Sequence, residues 1–126
     1  MNPIDMFASA LTFGPGGAVR AAERRMTGDD GDWQIAAFRV ETDEDVHADH
    51  WEMHPAAEEA VCCLSGGLRI YLRPEEPGGE EEILRLPAGT AAVVPRGRWH
   101  RLELDAPSDV MSVTLRGGTR LERRTA

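Results

Sequence analysis

The two stretches that decide the fold are EMHPAAEEAVCCLSG, residues 52–66, and GTAAVVPRGRWH, residues 89–100. The first carries Glu52, His54 and Glu59 ahead of a Ser-Gly-Gly turn, and the second ends in a histidine that follows Pro-Arg-Gly. Imidazole and carboxylate groups therefore stand at fixed offsets from residues that favour turns. This spacing predicts that neighbouring strands display metal-ligating side chains.

Around these stretches, short runs of β-forming residues alternate with turns rich in Gly, Pro and Asp. The predicted strands cover residues 33–40, 46–54, 59–64, 68–73, 83–86, 90–94, 99–104 and 110–115. The gap at 65–67 has the length of a hairpin turn, and Pro107 is expected to end a strand. The pattern predicts an all-β protein that folds as a closed or double-sheet antiparallel barrel.

Both ends of the chain depart from this pattern. Residues 18–26 are rich in Ala, Arg and Glu between two glycine-rich breaks, which predicts a short helix. We therefore expect an N-terminal helical arm (1–32), a β-barrel (33–116) and a C-terminal tail (117–126). The arginine-rich tail is expected to fray into solvent.

Composition excludes several classes of function. The chain has 126 residues, enough for one domain with a real core, and a formal net charge of -8. Nucleic acids and anionic membranes require clustered positive charge, so we expect neither as a partner. Lysine is absent, which excludes lysine Schiff bases, pyridoxal-phosphate attachment and a P-loop.

The cysteine content indicates a reducing compartment. The two cysteines, Cys62 and Cys63, are adjacent, and neighbours on a strand point to opposite faces, so they are poorly placed to bridge each other. We expect reduced thiols and hence a cytoplasmic protein. No signal peptide and no stretch apolar enough to span a bilayer is recognisable.

Strand alternation predicts where the polar groups converge. Glu52 and His54 share one face of their strand, and His100 shares a face with Leu102 and Leu104, which favour the interior. Buried imidazole and carboxylate groups are costly unless they are paired or coordinated. A divalent cation satisfies them together, and this donor set suits iron, manganese, nickel, copper or zinc.

The second stretch resembles the second motif of the cupin superfamily, G-(x)5-P-x-G-(x)2-H-(x)3-N. It matches at Gly89, Pro95, Gly97 and His100, while Leu104 stands in place of the closing asparagine. A counterpart of the family's first motif precedes it in the chain, so both motifs occur in order. The resemblance covers roughly residues 33–115.

The first stretch is similar to the first cupin motif, G-(x)5-H-x-H-(x)3,4-E-(x)6-G. It matches at His54, Glu59 and Gly66, but Glu52 occupies the position of the first histidine and the opening glycine is missing.

The resemblance implies a double-stranded β-helix, or jelly-roll barrel, that forms a homodimer. It implies metal ligation by His54, Glu59 and His100, with Glu52 at the place of the fourth ligand. Glu52 could ligate, act as a catalytic acid or base, or hydrogen-bond to His54. Oxygenation, isomerisation and cyclisation of small organic substrates all occur among cupins. A non-catalytic small-molecule-binding module is the alternative.

Other residues have competing interpretations. Glu58 could replace Glu59 as ligand, although the spacing to Gly66 favours Glu59. His50 is expected at the rim of the cavity, and His47 on the surface.

Cys63 could face inward with His100 as a nucleophile, but an apolar setting makes a thiol inert. Trp51, Trp99 and Met53 fall on the face opposite the ligands and are expected to pack elsewhere. Arg39 is expected to face solvent, with a place in the cavity as the alternative.

Overall fold

The structure, a computed structural model, describes residues 1–25 and 32–125. In these residues the chain forms nine strands and two short 3-10 helices, Pro15–Gly17 and Asp43–Val46. The strands are β1 (Ala10–Phe13), β2 (Val19–Ala22), β3 (Trp33–Val40), β4 (His50–Met53), β5 (Glu59–Leu72), β6 (Glu82–Pro87), β7 (Thr90–Val94), β8 (His100–Leu115) and β9 (Arg120–Arg123). The predicted strands at 33–40 and 90–94 coincide with β3 and β7.

The strands pair antiparallel in a curled, two-walled sheet. Strands β2, β1, β3, β8, β5 and β7 lie side by side in one wall. Strands β9, β4, β8, β5 and β6 form the other. The two long strands β5 and β8 therefore run through both walls and pair with each other along their length. The prediction of an all-β, jelly-roll type of fold is confirmed.

A bulge lets β5 and β8 continue where the sequence predicted breaks. Residues 65–67 were expected to form a hairpin turn and Pro107 to end a strand, and both predictions are wrong. The β5–β8 register shifts at this place, where Gly66 has a φ of 82°. The hydroxyl of Ser108 accepts a hydrogen bond from the Gly67 N–H at 3.0 Å, so an irregular stretch of backbone stays paired.

The predicted N-terminal helix is also wrong where the structure describes it. Residues 19–22 form β2, which pairs with β1 in a hairpin. An isolated helix of about nine residues is marginal in water, whereas a strand gains partners along its whole length. Residue 26, at the end of the predicted helix, lies outside the described part.

The C-terminal tail is not frayed over residues 120–123. These residues form β9, which pairs with β4 from His50 to Met53. A short strand at the edge of the sheet gave little signal in the sequence, because its four residues are all exposed.

The core lies between the walls and leaves one end of the barrel for polar side chains. Its buried residues are Val40, Val61, Cys63, Leu68, Ile70, Leu86, Val94 and Val110. Cys62 and Cys63 are free thiols, as expected. No helix in the described ranges has both the length and the apolar character that crossing a membrane requires.

We predict that Gly66→Ala destabilises the fold more than Gly78→Ala. Both glycines have positive φ, 82° and 81°, so both variants carry a backbone strain of about 1–2 kcal/mol. Only at Gly66 would the new Cβ overlap the Pro107 carbonyl and the Ser108 side chain. Urea denaturation should show a loss of about 3 kcal/mol or more for Gly66→Ala. Equal losses in the two variants would contradict a tightly packed bulge.

Candidate metal centre

Strand ends bring four polar side chains together. Glu52 lies in β4, His54 follows β4 by one residue, and Glu59 and His100 are the first residues of β5 and β8. Glu52 is the direct partner of His100 in the β4–β8 pair. Because alternate residues share a face, Glu52 and His54 point the same way, and the sequence-predicted convergence of all four residues is observed.

A turn and a loop fix the two histidines next to each other. Pro55 follows His54 directly, and a proline there disfavours continuation of the sheet. The N–H of Gly97 donates to the His54 carbonyl at 3.0 Å, in a turn where Gly97 has a φ of 77°. The turn that leads into His100 is thus tied to the backbone of the other histidine.

One oxygen of each carboxylate faces both imidazoles. Oε1 of Glu59 lies 3.1 Å from Nε2 of His100 and 3.3 Å from Nε2 of His54. Oε1 of Glu52 lies 3.2 Å from Nε2 of His54 and 3.5 Å from Nε2 of His100. One ligand atom from each side chain lies within 4.8 Å of all the others. The four donors surround a common point.

The donors have the composition and spacing that a divalent transition metal requires. His54, Glu59 and His100 are at most 3% exposed, and Nε2 of His54 faces Oε1 of both Glu52 and Glu59. Holding two carboxylates this close together, largely out of water, is costly unless cations compensate them. A metal with bonds of about 2.0–2.2 Å holds neighbouring ligands about 3 Å apart at right angles, close to the nitrogen–oxygen distances here.

Hydrogen bonds on the far side of each ring orient the histidines. Nδ1 of His54 lies 2.8 Å from Oγ1 of Thr119, and Nδ1 of His100 lies 3.3 Å from the carbonyl oxygen of Arg98. A carbonyl only accepts, so Nδ1 of His100 carries the hydrogen of that bond. In the neutral tautomer this leaves the Nε2 lone pair directed at the cluster.

The second oxygen of each carboxylate is held from outside the cluster. Arg116 Nη1 lies 3.1 Å from Oε2 of Glu52, and Nη2 lies 3.7 Å from Oε2 of Glu59. Thr114 donates its hydroxyl hydrogen to Oε2 of Glu59 at 2.5 Å. In each carboxylate, Oε2 therefore faces Arg116 or Thr114, while Oε1 faces the two imidazoles.

The cluster shifts the pKa of all four groups. Burial would raise the pKa of Glu52, but His100, His54 and the charge of Arg116 outweigh it and lower this pKa to about 2. Burial likewise opposes the effect of the imidazoles on Glu59, whose pKa is lowered. Against the opposing effect of burial, Glu52 and Glu59 raise the pKa of His54, and raise that of His100 to about 9.

Arg116 offsets part of the negative charge of Glu52 and Glu59. A carboxylate at position 52, where the motif has histidine, adds a negative charge beside Glu59. Arg116 is 6% exposed and contacts both carboxylates. Its role was not predicted from the sequence, although continued alternation just past β8 puts Arg116 on the same inward face as Thr114.

A cavity of about 60 Å³ adjoins the cluster. Its lining residues are Arg24, Phe38, Asp45, Val46, His47, His50, Glu52, Glu59, Val61, His100, Arg101, Leu102, Val110, Ser112, Arg116 and Leu121. His50 borders it and is half-buried, as expected for the rim, and His47 is exposed at the same border. The side chain of Glu52, 19% exposed, is the most open of the four in the cluster.

The competing candidates lie away from the cluster. Glu58 is exposed and does not belong to the group of four, and Arg39 faces solvent, paired with Glu41. Burial raises the pKa of the Cys63 thiol, which makes it a poor nucleophile.

The aromatic residues opposite the ligands stack with arginines. Trp51 is buried, and the guanidinium groups of Arg73 and Arg101 lie 5.8 Å and 5.3 Å from its ring centroid. Arg73 also lies 4.5 Å from the ring centroid of Trp99. As expected, these side chains pack on the outer face of the wall, away from the cluster.

Comparison with solved structures shows resemblance at low identity. A cupin-2 domain protein from Shewanella frigidimarina is 22% identical over 79% of this chain and 78% of its own, with a TM-score of 0.49. Oxalate decarboxylase from Bacillus subtilis, which has Mn(II) centres, is 19% identical, with a TM-score of 0.53. Hydroquinone 1,2-dioxygenase, solved with Cd2+ and 4-hydroxybenzonitrile, is 17% identical, with a TM-score of 0.50. No protein-family model and no curated protein matches the sequence.

The chain has the cupin fold. The structural match to oxalate decarboxylase covers 72% of this chain but only 23% of that protein's chain. The match to the dioxygenase covers 68% of this chain and 59% of the dioxygenase chain. The likenesses to oxalate decarboxylase and to the dioxygenase, with TM-scores of 0.53 and 0.50, establish architecture alone, because one fold supports many reactions. They confirm the fold that the two sequence motifs imply, and the buried group of two histidines and two glutamates suits a cupin metal site.

We predict that the unfolding free energy of the metal-free protein falls as the pH rises from 6.5 to 9. In this range the native state keeps the His100 proton, whereas the unfolded chain has released it, so higher pH favours unfolding. One proton gives a slope of at most about 1.4 kcal/mol per pH unit. Urea denaturation in chelator measures it. Because the pKa of His54 is raised as well, His100→Gln should reduce the slope but not abolish it. His47→Asn should leave the slope unchanged, and a flat wild-type profile would contradict the prediction.

Proposed function

We propose that Glu52, His54, Glu59 and His100 bind one divalent transition metal, and that the protein is an enzyme acting on a small organic molecule there. The observation that carries this proposal is the convergence of two imidazole nitrogens and two carboxylate oxygens within 4.8 Å, with three of the four side chains buried. Iron, manganese, nickel or zinc suits two imidazoles and two carboxylates.

The four residues have separate roles in this proposal. When bound, the metal supplies Lewis-acid or redox chemistry, which suits a dioxygenase, isomerase or cyclase type of reaction. Glu52 is the ligand most open to the cavity, and its carboxylate is the group placed to accept or return a substrate proton. Arg116 and Thr114 hold the carboxylates in position from the side away from the histidines.

A non-catalytic small-molecule-binding module is the second candidate. The observation that favours it is the charge balance of the cluster without metal. The raised pKa of His100 keeps that ring protonated at neutral pH beside two carboxylates, so the group satisfies itself in part by ion pairing. In such a protein Glu52 would pair with the histidines instead of binding metal.

Elemental analysis of protein purified without a metal-affinity tag tests the metal site. We expect about one transition-metal ion per chain in the wild type and in His47→Asn, and loss of the ion in His100→Ala, which removes a ligand. Circular dichroism should show that His100→Ala remains folded. No metal in the wild type, even after titration with iron, manganese, nickel and zinc, would contradict the proposal and favour the binding module.

Glu52 and Glu58 provide the matched pair for this experiment. Glu52→Gln should weaken metal binding, measured by competition with a chelator, by about tenfold or more, while the exposed Glu58→Gln leaves it unchanged. Glu52→His, which restores the usual cupin ligand set, should tighten it. Unchanged affinity in both Glu52 variants would show that this carboxylate is not a ligand. The identity of the recovered metal then determines which activity should be assayed. Iron calls for a measurement of oxygen uptake, and zinc or nickel calls for an isomerisation or cyclisation assay.

We also propose that the protein is a cytoplasmic homodimer. The free cysteines support a reducing compartment. On the outer face of the wall that contains β1, β2 and β3, Phe13 pairs with Val19 and with Trp33, and these three side chains are 38–56% exposed. An exposed apolar row of this kind marks an interaction surface, and a two-fold axis through it would cover the same row on both chains.

Sedimentation velocity at micromolar concentrations tests the dimer. We expect a dimer for the wild type and dissociation for Trp33→Glu, because a buried unpaired charge in the interface is costly. Ile83→Glu is the control, since Ile83 is also exposed, at 57%, but lies on β6 in the other wall. A monomeric wild type, or a dimer that survives Trp33→Glu, would contradict the assignment of this face.

A further inference from the structure

Two arginines approach the cavity beside the metal ligands. Arg116 lies at its inner end, bound to Glu52 and Glu59. Arg24, which follows β2, lines the same cavity and places its guanidinium 4.0 Å from the centroid of the Phe38 ring. Burial lowers the pKa of Arg24, and the nearby charge of Arg116 lowers it further. The carboxylate of Glu52 opposes this effect and raises the pKa of Arg24, so it acts on both guanidinium groups at the inner end of the cavity.

Ser112 is a second polar group at the cavity. It is 4% exposed and lines the cavity, yet its hydroxyl has no hydrogen-bond partner among the residues that the structure describes. Its neighbours on the inward face of β8 are Val110 and Thr114, of which Thr114 already holds Glu59. Buried hydroxyls are almost always hydrogen-bonded, so this one indicates a partner that occupies the cavity.

The remaining wall is apolar and the space is small. Phe38, Val61, Leu102 and Val110 line it, so polar contacts are confined to a few directions. At roughly 10–15 Å³ per water molecule, a volume of about 60 Å³ corresponds to about four to six waters. A ligand of about this many heavy atoms, with a short carbon body, fits.

The charge of the cavity favours an anion once a metal is present. Glu52, Glu59 and Arg116 together carry one net negative charge, whereas Arg101 is turned to the outer face, where it pairs with Glu103. A bound divalent cation would leave this group with one net positive charge. One carboxylate on the ligand reduces this charge, and a neutral ligand does not.

We propose that the ligand of this cavity is a small aliphatic carboxylic acid that bears a second polar atom. Its carboxylate lies between the cluster and the guanidinium of Arg24, its carbon body lies against Phe38 and Val110, and its second polar atom reaches the hydroxyl of Ser112. This inference rests on the proposed metal site for the charge excess, whereas Arg24 and Ser112 recognise the ligand independently of the metal.

Calorimetric titration with lactate and its neutral analogue lactamide tests the proposal. Both probes have six heavy atoms and a hydroxyl group, and they differ in the charge of one end. We expect metal-loaded protein to bind lactate at least about tenfold more tightly than lactamide, and Arg24→Gln to lose most of this preference. Arg39→Gln, which removes an exposed arginine on the outer face, should retain it.

Ser112→Ala gives a second, independent readout. Because the Ser112 hydroxyl has no hydrogen-bond partner within residues 1–25 and 32–125, its removal should leave the unfolding free energy unchanged or slightly higher. Lactate affinity should nevertheless fall about fivefold, since the hydrogen bond to the ligand is lost. Equal lactate affinity in the wild type and Ser112→Ala would overturn the assignment of this residue.

The metal content of each sample separates the two proposals. Protein that contains stoichiometric metal but binds lactate and lactamide equally would overturn the carboxylate proposal and leave the metal site intact. Protein that binds no metal but prefers lactate, with loss of the preference in Arg24→Gln, would overturn the metal proposal and support the carboxylate site.

Discussion

Two carboxylates buried side by side are the constraint on which the rest of this structure depends. Glu52 and Glu59 share one end of the barrel, and their negative charges can remain there only because His54, His100 and Arg116 surround them. The strand ends, the bulge and the turn before β8 are arranged so that these groups meet. The interior is therefore divided into an apolar core and a charged end, and the cavity opens where the two adjoin.

The site was more predictable than parts of the fold that carries it. Glu52, His54, Glu59 and His100 were identified because alternation along a strand and spacing from turn residues are local properties of the sequence. Local properties did not reveal that β5 continues through residues 65–67 and that β8 continues through Pro107. A glycine or proline there indicates an interruption, and only the pairing of β5 with β8 determines whether the interruption is a turn or a bulge.

The residues that sequence analysis missed depend on contacts between distant parts of the chain. Arg116 and Thr119 follow the last predicted strand, in a segment whose composition suggests solvent exposure, yet they contact Glu52 and His54. Arg24 lies in a segment predicted to be helical, and it reaches Phe38 only because β2 joins the edge of the sheet. The residues that contact the cluster from outside are thus set by the tertiary structure, whereas the four residues of the cluster follow a local sequence pattern.

The β5–β8 ladder also determines the order in which the centre can be assembled. Glu59 and His100 begin these two antiparallel strands and so lie near opposite ends of the ladder, which joins residues 28 to 53 positions apart in the chain. Closing such a loop has an entropic cost that must be met before the native contacts form, which makes non-local β pairing slow. In the proposed metal site, loading would therefore follow folding, because the unfolded chain keeps only Glu52, His54 and Glu59 near one another in sequence. The composition of the ion pool at that moment would then decide which metal the protein receives.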